Sequence, residues 1–356
     1  MEFCVHTDDF FRYYLLRGQI GSQKSWESIG RALYDYFSFL QANELGWRDV
    51  ARGEAKALVA GYRDYCLEIA KLSLSTVRQR LVYVCQFYEF AKSNSWINRL
   101  PFGYEHRRVS RHRGFLAHVD ASGGKISVRD VMPRKEKHLI KFLSLDQVKA
   151  LLDATTNIHH KMILRLALHT GLRREELATF PLAYVFNPDR IASRERNVRI
   201  TLDPYDGHGM RTKGNKPRDI VMGRRLMSAL HDYAVHYRGE RAAYGAAKQE
   251  ALFLSETGEP YAQNGKHLQW VASGAGKRIG VKVYPHLLRH TYATQTLIAL
   301  QRQRGDLRIE PLVFLQLQLG HSSIETTMVY LHVANELADN AVLTYDKELN
   351  DWSGVV

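Results

Sequence analysis

The chain has 356 residues, 24% of them charged, with a formal net charge of +13 and a pI near 9.6. This length accommodates two domains with separate cores, and no apolar run approaches the roughly 18 residues that a membrane span needs. The cationic excess favours a polyanionic partner, with nucleic acid first.

The opening stretch MEFCVHTDDFFRYY carries acids where an export signal would be basic and then apolar, so a cytoplasmic protein is expected. Residues 1–100 read as mostly helical. WESIGRALYDYFSFLQA sets Ile29, Leu33, Tyr36, Phe37 and Leu40 on one face. EAKALVAGYRDYCLEIAK repeats the pattern with Leu58, Tyr62, Cys66 and Ile69. LSTVRQRLVYVCQFYEFAKSN follows with Val77, Leu81, Val84, Tyr88 and Ala91, and Ser75 is the expected cap. The opposite faces carry Arg31, Lys56, Arg63, Lys71, Arg78 and Arg80, which read either as a solvated surface or as phosphate contacts. Cys4, Cys66 and Cys85 lack metal-ligand spacing, and their odd number does not make a disulfide framework, so reduced packing residues are expected.

Residues 103–140 hold Arg107, Arg108, Arg111, Arg113, Arg134, Lys135 and Lys137 around a Gly123–Gly124 pair, without sustained periodicity. The composition is that of a basic linker, with room for a short hairpin. From Ser144 the helical signal returns in SLDQVKALLDA, where Ser144 and Gln147 form a capping box. HKMILRLALHTGLRREELATF gives a buried helix, a stop at Gly171 and a second helical start. His159 and His160 read as a solvated pair. NVRITL and RDIVM are predicted strands around the turn-rich DPYDGHGMRTKGNKP, and further helices fill 224–342, one opening at Pro285.

Four stretches carry chemistry, in the order HTGLRREEL, RTKGNKPRD, HLLRH and LGHSSIETTMVYLH. Cleaving a phosphodiester without a metal requires neutralising the non-bridging oxygens of a pentacoordinate phosphorus. Arginine suits that task because it stays charged and offers a planar fork. In the last stretch Ser322 and Glu325 read as a capping box, and Ile324, Met328 and Leu331 as a buried stripe. Tyr330 is rotated roughly 100° from Leu331, so it is expected to point away from that stripe.

Together the four motifs resemble the tyrosine recombinase, or phage integrase, family over residues 144–335, with Tyr330 nine residues past His321. Residues 26–100 more loosely resemble that family's helical core-binding domain. The resemblance implies an α-rich two-domain protein. Residues 1–102 would form an all-helical core-binding domain, 103–140 the basic linker, and 141–356 an α+β catalytic domain with a small antiparallel sheet and a C-terminal tail. It implies that Arg173 and Arg289 grip the scissile phosphate, that Lys213 protonates the leaving 5′-oxygen, with Lys216 as the alternative, and that His286 accepts the proton of the nucleophile Tyr330. His321 would bond a non-bridging oxygen, and Glu176 would hold Arg173 or His286. His290 shares a face with His286 but lies outside the family's motif and reads as structural. Arg78, Arg80, Arg107, Arg108, Lys216 and Arg218 are candidate DNA contacts.

The expected activity is site-specific recombination of double-stranded DNA through a 3′-phosphotyrosine, without ATP, metal or other cofactor and without a membrane partner. The two domains are expected to close on DNA, in a nucleoid-associated homotetramer. Leu337, Val342, Leu343 and Tyr345 of the tail would dock on a neighbouring protomer or on their own domain. The alternatives are a type IB topoisomerase and a non-catalytic DNA-binding relative; a metal-dependent nuclease would need clustered carboxylates, which are not found near these motifs.

Overall fold

The computed structural model describes residues 2–16, 25–50, 58–108, 125–134, 140–190, 195–245, 249–302 and 310–331. The chain divides into two units, Met1–His138 and Leu139–Val356. No helix among the described residues is long and apolar enough to cross a membrane.

The first unit is built on α1 (Glu2–Phe11), α2 (Trp26–Ala42), α3 (Leu58–Asp64) and α4 (Leu74–Ser93). The helical spacing of apolar residues does what it predicts. Ile29, Leu33, Tyr36 and Leu40 pack against Leu58, Tyr62 and Cys66, and against Val77, Leu81, Val84, Tyr88 and Ala91. The buried hydroxyls are satisfied in a chain: those of Tyr36 and Tyr88 lie 2.7 Å apart, and Tyr88 donates to the Trp47 carbonyl at 3.0 Å. Two local expectations are corrected. Ile69 is exposed, because α3 runs into a π-helical turn over Tyr65–Ile69 whose wider winding shifts it off the buried face. The cap of α4 is Ser73, whose hydroxyl accepts the Thr76 N–H at 3.3 Å, two residues before Ser75.

Several cations expected on open faces have partners inside the unit. Arg31 pairs with Glu27, Arg63 with Asp64 and Arg80 with Asp35, while Arg78 donates to the Pro133 carbonyl. The basic stretch after residue 102 holds an antiparallel hairpin, β1 (Tyr104–Arg108) with β2 (Lys125–Arg129). Arg107 and Arg108 stand in β1, and their side chains lie outside the described residues. Arg129 forks onto both oxygens of Glu89 at 2.6 and 2.9 Å, and Tyr104 donates to the same carboxylate. Val131 and Met132 then enter the helical core.

The second unit opens on α5 (Leu145–Asp153), capped reciprocally by Ser144 and Gln147. α6 (Ile158–Thr170) ends at Gly171 in the left-handed conformation, and α7 (Arg174–Ala178) follows at once. β3 (Asn197–Leu202) and β4 (Arg218–Gly223) form the antiparallel pair, with Ile200 opposite Ile220 and Leu202 opposite Arg218. Then come α8 (Arg224–His236), α9 (Arg238–Ala242), α10 (Lys266–Arg278), α11 (Pro285–Arg302) and α12 (Pro311–Leu319); residues 324–331 form a last described helix, α13. α6 lies along α11, and α12 sits on β4 and α11. Buried Gln318 fixes α12 to the sheet by accepting the Val221 N–H at 2.8 Å and donating to the Val221 carbonyl at 3.0 Å. His159 is buried rather than solvated, with Nδ1 2.9 Å from the Tyr233 hydroxyl, and burial pushes its pKa down to about 4. The tail anchors Leu337, Val342, Leu343 and Tyr345 lie outside the described residues.

Gly171 sits at φ +64°, and a Cβ there would meet Tyr292 Cδ1 at 2.4 Å and Leu319 Cδ2 at 2.9 Å. Gly171→Ala should therefore cost about 1–2 kcal/mol for the backbone and as much again for the clash. Gly214, at φ +71° with nothing among the described residues within 4 Å of an added Cβ, supplies the control. In urea unfolding, Gly214→Ala should show the backbone cost alone; equal losses for the two would contradict the packing account.

Candidate active site

Two helix ends create the site. Gly171 ends α6 and Gly320 ends α12, both left-handed, so that each helix turns its last carbonyls into one small volume. Those carbonyls carry the negative end of the helix dipole and suit cations. Arg289, on α11 and only 2% exposed, donates to the Gly171 carbonyl at 2.7 Å and to that of Leu319 at 2.6 Å. Arg173, the N-cap residue of α7, donates to the Gly320 carbonyl at 2.8 Å. Burial first, then the charge of Arg173, push the Arg289 pKa down, but a guanidinium stays protonated in proteins.

Glu176 holds the cluster from below. It is fully buried, accepts from Arg218 at 2.5 and 2.8 Å and from the Arg173 guanidinium at 3.1 Å, and takes the Arg173 backbone N–H at 2.7 Å. Burial alone would raise its pKa, but the hydrogen bonds and charge of Arg218, with the charge of Arg173, leave it below the ordinary carboxylate value. Of the two partners expected for Glu176, the structure gives Arg173; His286 is not bonded to it. Arg218 is also corrected. It is not presented on the surface like a DNA-backbone contact but lies in this cluster, opposite Leu202, with its Cδ only 2.6 Å from where a Cβ on Gly320 would stand. Its Nε is buried without a hydrogen-bond partner among the described residues.

The same glycine places His321. The His321 N–H closes the α12 cap on the Gln316 carbonyl at 3.1 Å, and its Nδ1 lies 2.9 Å from the hydroxyl of buried Thr327. Burial, then Arg289, Arg173, His286 and His290, push its pKa down to about 3, so it is neutral at pH 7. In the tautomer that accepts the Thr327 hydroxyl at Nδ1, Nε2 carries the proton and can donate to an anion.

Tyr330 departs from the expected orientation. Its ring is 3% exposed, packed with Ala293, Leu297, Leu315 and Leu319, while Ile324, Met328 and Leu331 are only half-buried. The buried face of α13 is the Thr327–Tyr330 face, because that face meets α11 and α12. The helix begins after Ser323, which displaces Ser322 as its cap; Glu325 bonds Ser323. The ring lies parallel to that of His321, 6.3 Å between centroids. Burial raises the phenol pKa, and Arg289 and Arg173 pull it back.

The hydroxyl of Tyr330 lies 2.8 Å from His290 Nδ1. Thus the residue read as structural touches the phenol, while His286 stands one turn earlier, exposed, with its ring centroid 4.2 Å from that of His290. Burial, Arg289 and Arg173 lower the His286 pKa. Burial, His286 and Arg289 hold that of His290 at about 4. The structure therefore brings together Arg173, Glu176, Arg218, His286, Arg289, His290, His321 and Tyr330. It does not join Lys213 or Lys216 to them: both are on the exposed turn between β3 and β4. Sequence reasoning missed His290 and the placement of Arg218. The i, i+4 spacing of the two histidines in HLLRH was the available signal for the first.

Removing the buried carboxylate should be costly. Glu176→Gln leaves two guanidiniums without their counter-charge and should cost about 3–5 kcal/mol at neutral pH. The folded-state pKa of Glu176 lies below its ordinary 4.5, so its stabilisation is complete above that value and is lost as pH falls through the folded-state pKa. Urea unfolding at roughly pH 6 and pH 3 should show a smaller acid loss in the variant than in the parent. Equal acid losses would contradict the arrangement.

The model of the phage integrase family matches residues 141–336, more than half of the chain. The chain is similar to the tyrosine recombinase XerC of Staphylococcus epidermidis, 27% identical over 335 residues and 92% of each chain. It is similar to the XerC of Bacillus subtilis, 24% identical over 283 residues, 77% of this chain and 75% of that one. Among solved structures, the fold is like that of the Tn1549 transposon integrase in complex with transposon right end DNA, with TM-score 0.58, 16% identity and coverage of 92% and 93%. It is also like that of the XerH site-specific recombinase in its post-cleavage complex with palindromic difH substrate, with TM-score 0.54, 16% identity and coverage of 83% and 73%. With the motifs in order and the family's domain spanning them, the chain belongs to the phage integrase family and is a tyrosine recombinase.

Proposed function

We propose that this protein cuts and rejoins double-stranded DNA at specific sites through a 3′-phosphotyrosine on Tyr330. One observation carries the reading: a tyrosine hydroxyl bonded to His290 within a cluster of Arg173, Arg218, Arg289 and His321. The uncompensated cationic side of that cluster suits a phosphodiester. Arg173 and Arg289 neutralise its non-bridging oxygens, and neutral His321 donates a further hydrogen bond. Tyr330 attacks phosphorus, the bond to the 5′-oxygen breaks, and Lys213 on its exposed turn supplies the proton to that oxygen. Keeping the phosphate as an ester on tyrosine conserves the bond for rejoining, so neither ATP nor a metal is required.

The partner is double-stranded DNA. The XerH and Tn1549 neighbours, solved on difH substrate and transposon-end DNA, support that choice. The helical unit and the β1–β2 hairpin would add contacts along the backbone, Arg107 and Arg108 among them. The protein would work as a homotetramer on two duplexes, integrating, excising or resolving DNA.

The test is a nicked suicide duplex, selected by binding from a randomised pool, incubated with the protein in EDTA. A covalent adduct through the 3′ phosphate at the cleaved bond is expected, absent in Tyr330→Phe. Transfer of the held strand to a second duplex is expected of a recombinase, and relaxation without exchange of a topoisomerase. An adduct that needs magnesium, or survives in Tyr330→Phe, would overturn the proposal. Binding itself should weaken about 10³-fold or more between 50 and 200 mM salt if the roughly six or more phosphate contacts proposed are made.

A further inference from the structure

Tyr330 must lose its proton as it attacks, and its neighbours differ in what they can take. Arg173, Arg218 and Arg289 are donors only. Glu176 is saturated by Arg173 and Arg218. His321 lies parallel to the phenol ring, with its Nδ1 engaged by Thr327. His286 is exposed and bonded to no carboxylate among the described residues, and it is His290 whose Nδ1 is 2.8 Å from the phenolic oxygen. Resting on the recombinase reading above, we infer that His290 is the base that accepts the Tyr330 proton, a role the motif pattern would give to His286.

The phenolic O–H bond breaks and its proton passes to His290 Nδ1, while the Tyr330 oxygen forms a bond to phosphorus. The bond from phosphorus to the 5′-oxygen breaks, and that oxygen takes a proton from Lys213. An imidazolium results at His290, which can release its Nε2 proton toward solvent past His286, whose ring centroid is 4.2 Å away. In the reverse direction a 5′-hydroxyl attacks the phosphotyrosine and the proton returns to the phenolate.

Geometry sets this role apart from simple packing. Position 290 is four residues from 286, so both rings project from the same side of α11. The chain arriving from Gly320 then places Tyr330 over the second ring rather than the first. The groups facing His290 are His286 and Arg289 from α11, His321 from the α12 cap and Tyr330 from α13. Burial first, then His286 and Arg289, hold the His290 pKa at about 4, so the imidazole is neutral and its acceptor nitrogen available throughout the physiological range.

The test measures adduct formation against pH on the selected nicked duplex, made with sulfur replacing the 5′-bridging oxygen. A thiolate leaves without acid help, so loss of Lys213 is masked and only loss of the base is seen. Wild-type rates should be flat from roughly pH 6 to pH 9. His290→Gln keeps a polar side chain but cannot take the proton. Its rate should fall about 10²–10³-fold near pH 7 and climb about tenfold per pH unit, as the phenol must ionise unaided. His286→Gln removes a group on the proton's way out and not the acceptor, so it should lose less rate than His290→Gln and keep a flat profile. The inference is overturned by a flat His290→Gln profile, or by the steep profile appearing in His286→Gln instead. A wild-type protein that forms no adduct overturns the recombinase reading and this inference with it. Should His290→Gln not fold, nitrogen-15 spectra of wild-type histidines decide: the inference requires a bare Nδ1 and a protonated Nε2 at His290, and a protonated Nδ1 contradicts it.

Discussion

A fully buried carboxylate faces three guanidiniums in this protein, and the site exists because that imbalance is tolerated. Glu176 neutralises Arg218 and Arg173 directly. Arg289 has no carboxylate partner among the described residues and rests on the carbonyl ends of α6 and α12. Three cations against one anion would repel in an apolar interior, but partial negative charge from two helix termini offsets part of that repulsion without neutralising it. The residual positive potential is then available to a phosphate. Both helix ends depend on a left-handed glycine, so Gly171 and Gly320 are electrostatic as well as conformational requirements.

The same geometry sets the state of the proposed nucleophile. Tyr330 is buried, which by itself disfavours the phenolate, and Arg289 and Arg173 act in the opposite direction. A phenol held protonated until a phosphate is in place suits an enzyme that must keep a reactive group silent away from its substrate. The hydrogen bond to His290 and the parallel His321 ring fix the hydroxyl beside the cations. Gln318 ties α12 to β4, so the sheet carrying Arg218 and the cap carrying His321 are braced as one body.

What the sequence discloses here is what short-range chemistry decides. The Ser144–Gln147 capping box, the Gly171 stop, both strands of the second sheet and the four motifs follow from local residue types. What it conceals is set by partners distant in the chain. Arg218 looks like a surface cation beside Lys216, yet antiparallel pairing carries it beneath Gly320. The Ile324, Met328 and Leu331 stripe is more apolar than Thr327 and Tyr330, but α13 meets its neighbours through the latter face. His290 and His286 are equivalent by spacing, and only the path of the chain from Gly320 distinguishes them. The basic stretch after residue 102 reads as a linker by composition because a single-sequence reading does not pair Arg129 with Glu89, forty residues earlier.

The central claim is that Tyr330 becomes esterified to a DNA 3′ end within this cationic cluster. The most direct measurement is to trap the adduct, digest it with nuclease and protease, and locate the residual nucleotide by fragmentation in a mass spectrometer. A 3′-nucleotide phosphate on Tyr330 is expected. A nucleotide on any other residue, Tyr345 included, or a linkage through a 5′-phosphate, would contradict it.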